Sequence, residues 1–206
     1  MKPILGMILV ILTFNNCTMA QNENFTMEKN EQKIDVFKSE KEIVINVSAE
    51  KLWGIIGTGF ADYDEWATIV DHSEGKGVSK YDGAPFQERV CSFDSGQGPN
   101  EVKETLLQYS DNDMHLSYEV IQGMPETMDN ATNEITVVRI SKNKSKIIIN
   151  MTWGVKGPLD EQMSKMMKEN MSGLMNTFFN DIKVYVETGK VSDMKQKRLD
   201  ELANMK

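Results

Sequence analysis

Three polar residues lie where apolar strand patterns would carry their side chains inward. Glu104 and Tyr118 each have apolar residues two positions away on both sides, so they share a strand face with those residues. Arg89 lies in an earlier strand-like segment. If these faces enclose a cavity, the three side chains would orient the polar head of a ligand, because a buried charge needs a partner. The alternative is a structural ion pair between Arg89 and Glu104 on neighbouring strands, and the sequence favours neither reading.

No other residues have the spacing of a catalytic or metal site. The two histidines, His72 and His115, have no His or Cys companion at ligand spacing, so neither a zinc site nor a Ser-His or Cys-His pair is supported. Gly54, Gly57 and Gly59 lie in and after a predicted helix and lack the Lys-Ser/Thr of a phosphate loop. We therefore predict no catalytic residue, no metal and no cofactor.

Length, composition and net charge indicate the size of the domain and the kinds of partner it can bind. With 206 residues, of which 40% are hydrophobic, the chain is long enough for one ordinary domain with a sizeable core. A formal net charge of −8 argues against nucleic acid as a partner, since phosphates require a basic surface. The same charge weakly favours a neutral ligand over an anionic one. Cys91 lies in an apolar strand pattern, which favours a buried, inert thiol over a nucleophile.

Residues 1–20 have the pattern of a secretory signal peptide. Lys2 supplies a basic start, residues 4–12 form an apolar run, and Ala20 is a small residue before a cleavage point. The run is much shorter than the ~20 residues that cross a bilayer. We predict an exported protein, periplasmic or secreted, without a membrane span. The alternative is a lipoprotein anchored at Cys17, although the residues before this cysteine are larger than such sites use.

The rest of the sequence predicts a β-rich domain at residues 40–190, after a flexible spacer at 21–39. An alternating apolar segment at 42–47 predicts the first strand, and two short helices follow. Six further strand patterns separated by short polar turns predict an antiparallel meander. The two helices are predicted at 49–56 and 60–66, and the six strands at 72–78, 85–93, 101–109, 114–121, 134–140 and 147–155.

A long helix is predicted at residues 159–188. Its apolar residues recur at three- and four-residue steps, which places them on one face. Such a helix would cover the open face of a curved sheet. Residues 191–206 are predicted to be a peripheral tail with a weak helical pattern. The apolar stripe of the long helix includes Met163, Met167, Met171, Met175 and Phe178.

Particular residues in this order of elements resemble a known superfamily. The matching segments are 45–53, 63–66, 104–106, 116–118, 152–153 and 185–190, with Gly83 before the strand that holds Arg89. They resemble the helix-grip (SRPBCC, Bet v 1-like) superfamily of lipid-transfer START domains, pollen-allergen-like plant proteins and the bacterial polyketide cyclase/dehydrase group. The resemblance implies an α+β fold with a curved seven-stranded antiparallel sheet, two short helices after the first strand, and the long C-terminal helix over the concave face.

The resemblance also implies a cavity between the sheet and the long helix. We expect it to hold a small hydrophobic molecule, such as a lipid, a sterol or a polyketide-like compound. One alternative is a polyketide cyclase/dehydrase-like enzyme that uses polar residues of the same cavity, and another is a filled cavity and a function at the surface. For any single wall residue, plain core packing is the competing explanation. The predicted wall consists of Trp53, Phe60, Tyr63, Trp66, Arg89, Glu104, Leu106, Leu116, Tyr118, Met151, Trp153, Met163, Met167, Met171, Met175 and Phe178.

Overall fold

The computed structural model describes residues 34–94 and 99–204. The predicted signal peptide, Cys17 and residues 21–33 of the predicted spacer lie outside the described residues. None of the helices within the described ranges is long and apolar enough to cross a membrane.

Seven strands form one antiparallel sheet. Their order is β1-β7-β6-β5-β4-β3-β2, so the first and last strands along the chain pair with each other and the remaining neighbours follow the meander. The prediction of a seven-stranded antiparallel sheet is confirmed. The strands are β1 (Ile34–Ile45), β2 (His72–Lys76), β3 (Glu88–Asp94), β4 (Pro99–Ser110), β5 (His115–Gln122), β6 (Met128–Ser141) and β7 (Lys144–Lys156).

The helices also follow the predicted order. Helix α1 (Ala49–Trp53) continues into a π-helical turn (Gly54–Thr58), and a single 3-10 turn (Tyr63–Glu65) follows it. The long helix α2 (Glu161–Thr188) begins where Asp160 Oδ1 accepts the Met163 N–H at 2.7 Å. It ends at Gly189, whose φ of +71° is the left-handed conformation that closes many helices. The helix-grip fold is therefore confirmed.

The core lies under the second half of α2. Met175, Phe178, Phe179, Ile182 and Val186 are all buried against the sheet and the short helices. The first half of the helix is more open, and Met163, part of the predicted stripe, is 47% exposed. The Met-rich stripe is therefore partly exposed in the first half of α2 and belongs to the core in the second half.

The first strand begins earlier than the sequence predicts. Residues 34–39 were expected to belong to a flexible spacer, but β1 starts at Ile34 and pairs with β7 along its whole length. The inward-facing positions of this part include Asp35 and Ser39, so the apolar alternation that marks a strand is missing here. Pairing with β7, which the sequence pattern does not reveal, supplies the missing stabilisation.

The C-terminal segment is not the peripheral tail that was predicted. Helix α3 (Asp193–Asn204) is held by buried polar contacts. Lys195 is fully buried and donates through Nζ to the Val70 carbonyl at 2.7 Å, and burial lowers the pKa of this lysine. Arg198 forms an ion pair with Asp71 at 2.5 Å. The weak apolar pattern of α3 does not reveal its attachment, because the contacts that hold it are polar.

One carboxylate on α2 is central to this attachment. Asp181 is fully buried, its Oδ2 accepts the Thr68 N–H at 2.7 Å, and its Oδ1 accepts the Ser192 hydroxyl at 2.5 Å. It therefore joins α2 both to the loop before β2 and to the start of α3.

We predict that Asp181→Ala destabilises the protein by about 3 kcal/mol, because two charge-assisted hydrogen bonds are lost and their donors, the buried Ser192 hydroxyl and the partly buried Thr68 N–H, are left unpaired. Unfolding in urea, followed by circular dichroism, measures the change. Asn180→Ala, at the exposed neighbouring position, is the control and should change stability by less than about 0.5 kcal/mol. Equal stability of the two variants would contradict the assigned role of Asp181.

Candidate functional site

A cavity of about 210 Å³ lies between the concave face of the sheet and α2. It has room for roughly seven water molecules at liquid density, so it is larger than a packing defect. Ile69 and Leu174, which line it, are 37% and 46% exposed and mark where it opens to solvent. The wall is formed by Tyr63, Ile69, Val70, Arg89, Cys91, Phe93, Val102, Glu104, Tyr118, Asn133, Ile135, Ile149, Met151, Met171, Leu174, Met175 and Phe178.

Strand register brings the polar wall residues together. Arg89 on β3 lies directly opposite Glu104 on β4, and Tyr118 on β5 lies opposite Asn133 on β6. Directly opposed residues of antiparallel strands point to the same face, and here that face is the concave one. Helix α2 supplies the roof through Met171, Leu174, Met175 and Phe178, whose i, i+3, i+4, i+7 pattern places them on one helical face.

Arg89 and Glu104 form an ion pair at the cavity wall. Arg89 Nε and Nη2 both donate to Glu104 Oε2, at 2.7 and 2.5 Å, and Nη1 donates to the Phe60 carbonyl at 2.7 Å. Burial by itself would lower the pKa of Arg89, but Glu104, together with the smaller effects of Cys91, Tyr118 and Tyr63, raises that pKa well above its ordinary value. The arginine therefore carries a permanent charge with its donors largely satisfied.

Aromatic rings surround the guanidinium group. The Arg89 Cζ atom lies 4.2 Å from the ring centroid of Phe60, 4.1 Å from that of Tyr63 and 5.2 Å from that of Tyr118. These distances are those of cation–π contacts. The rings exclude water from the charge and are in turn held in place by it.

Polar atoms of three wall residues, Glu104, Tyr118 and Asn133, are left for a ligand. Because Glu104 uses Oε2 for Arg89, its Oε1 has no hydrogen-bond partner among residues 34–94 and 99–204. The Tyr118 hydroxyl likewise has none within these ranges. Burial raises the pKa of Tyr118 well above its ordinary value, so this hydroxyl remains a donor. Asn133 also lines the cavity, and its side-chain amide has no hydrogen bond within the same ranges. The cavity thus offers a carboxylate acceptor, a hydroxyl donor and one amide group within a largely apolar wall.

Cys91 faces the same cavity. Its Sγ lies 3.7 Å from Ser73 Oγ and 4.0 Å from Glu104 Oε2. Burial raises the pKa of the thiol, which disfavours the thiolate that a nucleophile requires. Cys91 is only 6% exposed, as the sequence predicted. We assign it no chemistry.

The predicted wall residues separate into three groups. Half of them line the cavity: Tyr63, Arg89, Glu104, Tyr118, Met151, Met171, Met175 and Phe178. Five others belong to the packed core and do not line it: Trp53, Phe60, Trp66, Leu106 and Leu116. The last three lie elsewhere: Trp153 and Met167 pack in a separate cluster around Phe37, and Met163 is largely exposed.

Physical reasons account for these corrections. Trp53 contacts the end of β4 and the turn after it instead of the cavity. Its Nε1 donates to Asp111 Oδ1 at 2.7 Å, and its ring packs on Tyr109. Trp66 packs against Phe178, which itself lines the cavity, and so lies one layer behind the wall. Met163 lies on the first half of α2, outside the part that covers the core.

Several wall residues were not predicted. Ile135 on β6 and Ile149 on β7 lie directly opposite each other and face the cavity. Both belong to predicted strands, but their place in the wall depends on the pairing register of β6 and β7, which the sequence does not reveal. Ile69 and Val70 come from an irregular loop without any periodic signal. The other wall residues outside the prediction are Cys91, Phe93, Val102, Asn133 and Leu174.

The sequence profile of the family described as Polyketide cyclase / dehydrase and lipid transport matches residues 36–187. The chain belongs to this family. Its resemblance to the helix-grip superfamily is thereby confirmed, and the family assignment supports ligand binding or cyclase chemistry. Comparison with curated proteins gave no significant match.

Solved structures with the same fold come from distant relatives. The Zhui aromatase/cyclase of a Streptomyces species has a TM-score of 0.61 at 8% identity, over 74% of this chain and 94% of that one. Truncated norcoclaurine synthase of Thalictrum flavum has a TM-score of 0.60 at 18% identity, over 78% and 99%. A START superfamily protein of Mycobacterium smegmatis has a TM-score of 0.59 at 13% identity, over 74% and 99%. At these identities the comparison establishes the fold alone.

Removing one partner of the buried Arg89–Glu104 pair should lower the free energy of unfolding. We predict that Arg89→Met or Glu104→Leu alone destabilises the protein by about 3–5 kcal/mol, because each leaves an uncompensated buried charge. The double variant should lose much less than the sum of the two. Urea unfolding of the four proteins gives the coupling free energy.

The same two strands provide the matched control. Glu88 and Lys103 form a pair at 2.7 Å that is about one-third exposed, and the corresponding variants should show coupling of less than about 1 kcal/mol. Equal coupling in the two pairs would mean that burial does not strengthen the Arg89–Glu104 interaction.

Proposed function

We propose that this protein is exported and binds a small hydrophobic molecule in the cavity between the sheet and α2. The observation that carries the proposal is the cavity itself, whose largely apolar wall contains unused polar groups of Glu104, Tyr118 and Asn133. Ligand pockets typically combine an apolar lining with a few well-placed polar groups. The signal-peptide pattern of residues 1–20 supports export.

The polar atoms define the ligand more closely. A hydroxyl group on an apolar body would accept a hydrogen bond from the Tyr118 hydroxyl and donate one to Glu104 Oε1. A volume of about 210 Å³ suits a small body. A lipid or sterol would require the wall to yield, and Met151, Met171 and Met175 are the flexible side chains that allow this.

A cyclase or dehydratase is the second candidate. The observation that favours it is the Tyr118 hydroxyl at the cavity wall, which stays protonated because burial raises its pKa and which can donate a hydrogen bond to a substrate oxygen. Two fold relatives are also named as enzymes, an aromatase/cyclase and norcoclaurine synthase. Against it, the Glu104 carboxylate is already paired with Arg89 and is not the isolated base that such chemistry requires. Binding is therefore preferred.

Native mass spectrometry of the exported protein, purified from its own host or a close surrogate, tests the proposal first. We expect a stoichiometric apolar molecule that organic extraction releases. A protein without such a molecule that also fails to take up the neutral dye Nile red would contradict the proposal.

A pair of valines makes the location testable. Val102→Phe places a ring in the cavity, whereas Val90→Phe places the same ring on the opposite face of the adjacent strand. We predict that Val102→Phe reduces Nile red uptake about tenfold or more, because the added ring occupies the ligand's volume. Val90→Phe should leave uptake unchanged, and a reduction in both variants would contradict a site at this cavity.

The polar contact has its own test. We predict that Tyr118→Phe weakens octanol binding about fivefold, as the loss of one neutral hydrogen bond implies. Calorimetric titration measures the affinity. Tyr185→Phe is the control, since the Tyr185 hydroxyl donates to Glu65 at the exposed surface. An unchanged affinity in Tyr118→Phe would show that the ligand hydroxyl lies elsewhere.

A further inference from the structure

One side of the cavity opening is formed by a loop that contains neither helix nor strand. This mouth loop, residues 66–71, connects the 3-10 turn to β2 and contributes Ile69 and Val70 to the cavity wall. Ile69 is exposed at the opening, whereas Val70 is buried. The position of these two side chains therefore affects how easily a ligand enters and leaves.

The mouth loop is fixed immediately before and immediately after the two wall residues. The Thr68 N–H donates to Asp181 Oδ2 on α2 at 2.7 Å. Asp71 accepts two hydrogen bonds from Arg198 on α3, at 2.8 and 2.5 Å. Both flanks of the wall segment are therefore tied to the C-terminal part of the chain.

Lys195 of α3 contacts the wall segment itself. Its Nζ donates to the Val70 carbonyl at 2.7 Å, which is the single hydrogen bond of this ammonium group within residues 34–94 and 99–204. Lys195 is fully buried, and burial lowers its pKa although the carboxylates of Asp71, Asp64 and Asp181 act in the opposite direction.

A buried lysine is an expensive way to fill this space. An ammonium group loses its hydration on burial, and a methionine of similar length would occupy the same volume without that cost. Lys195 therefore breaks a packing rule at a point where its one side-chain hydrogen bond supports the cavity wall. Such departures are expected at residues that serve a function.

Helix α3 lies beyond residues 36–187, the part of the chain that the family profile matches. Lys195 and Arg198 therefore reach the mouth loop from a segment outside that match. Asp181 lies within it. The C-terminal helix of this chain is thus connected to the ligand site through the mouth loop.

We propose that Lys195 is a positioning residue of the ligand site, which holds the Val70 carbonyl so that Ile69 and Val70 stay in the wall and slow the release of the ligand. This inference rests on the proposed function and adds a determinant of how long the ligand stays bound. Lys195 does not line the cavity, so it acts through the mouth loop alone.

Release of Nile red from the loaded protein tests this role. We expect Lys195→Met to increase the release rate about tenfold, as the loss of one charge-assisted hydrogen bond implies. Stopped-flow dilution, followed by the fall in dye fluorescence, measures the rate. Arg198→Met removes the contact with Asp71 and should act in the same direction, so it carries the test if Lys195→Met does not fold. Lys197→Met, whose side chain is 80% exposed on the same helix, should leave the rate unchanged.

A further control separates positioning from a general loss of stability. Trp53→Phe removes the hydrogen bond from Trp53 Nε1 to Asp111, and Trp53 does not line the cavity. This variant should lower the free energy of unfolding in urea without changing the release rate.

Nuclear magnetic resonance reports on the mouth loop directly. The δ1 methyl resonance of Ile69, assigned with Ile69→Val, should shift or broaden in Lys195→Met, because the adjoining backbone loses its anchor. The δ1 methyl resonance of Ile182, in the buried core, should stay in place.

The outcomes are distinguishable. A release rate that Lys195→Met and Arg198→Met leave unchanged, or an unmoved Ile69 resonance, would overturn the positioning role and leave the proposed function intact. Equal acceleration by Trp53→Phe would also overturn it, since the rate would then follow stability alone. A wild-type protein that takes up no Nile red would overturn the proposed function and the positioning role together.

Discussion

The arrangement of the site depends on the buried charge of Arg89. A guanidinium group that is 98% shielded from solvent requires a compensating charge and acceptors for its donors. Glu104 and the Phe60 carbonyl supply them, and the rings of Phe60, Tyr63 and Tyr118 close around the cation. The pair therefore fixes the segment after α1 against β3 and β4, and the cavity lies beside this point.

The long helix completes the enclosure unevenly. Its second half is core, where Met175, Phe178 and Ile182 are buried. Met171 and Leu174, nearer the middle of the helix, complete the wall of the cavity. Asp181 and α3 stabilise only the second half. The second half of the helix is therefore held by buried polar contacts as well as by apolar packing.

Local periodicity explains what the sequence predicted and what it missed. Alternation along β4, β5 and β7 and the stripe on α2 are local signals, so the element order, the sheet and half of the wall follow from them. The beginning of β1 and the docking of α3 depend on Asp35, Lys195 and Asp181, polar residues that are satisfied only by distant partners. Polar residues buried by tertiary contacts have no periodic signature, and neither does the loop that contributes Ile69 and Val70 to the wall.

The same ion pair bears on the choice between binding and catalysis. A carboxylate held by two N–H groups of Arg89 is preorganised as an acceptor, and it can orient a ligand hydroxyl without moving. To act as a base it would have to take a proton while adjacent to a buried cation, which would leave that cation uncompensated. The structure that makes Glu104 a good positioning group thus makes it a poor base. Any catalysis in this cavity would have to rely on Tyr118 as the proton donor and on the ligand's own reactivity.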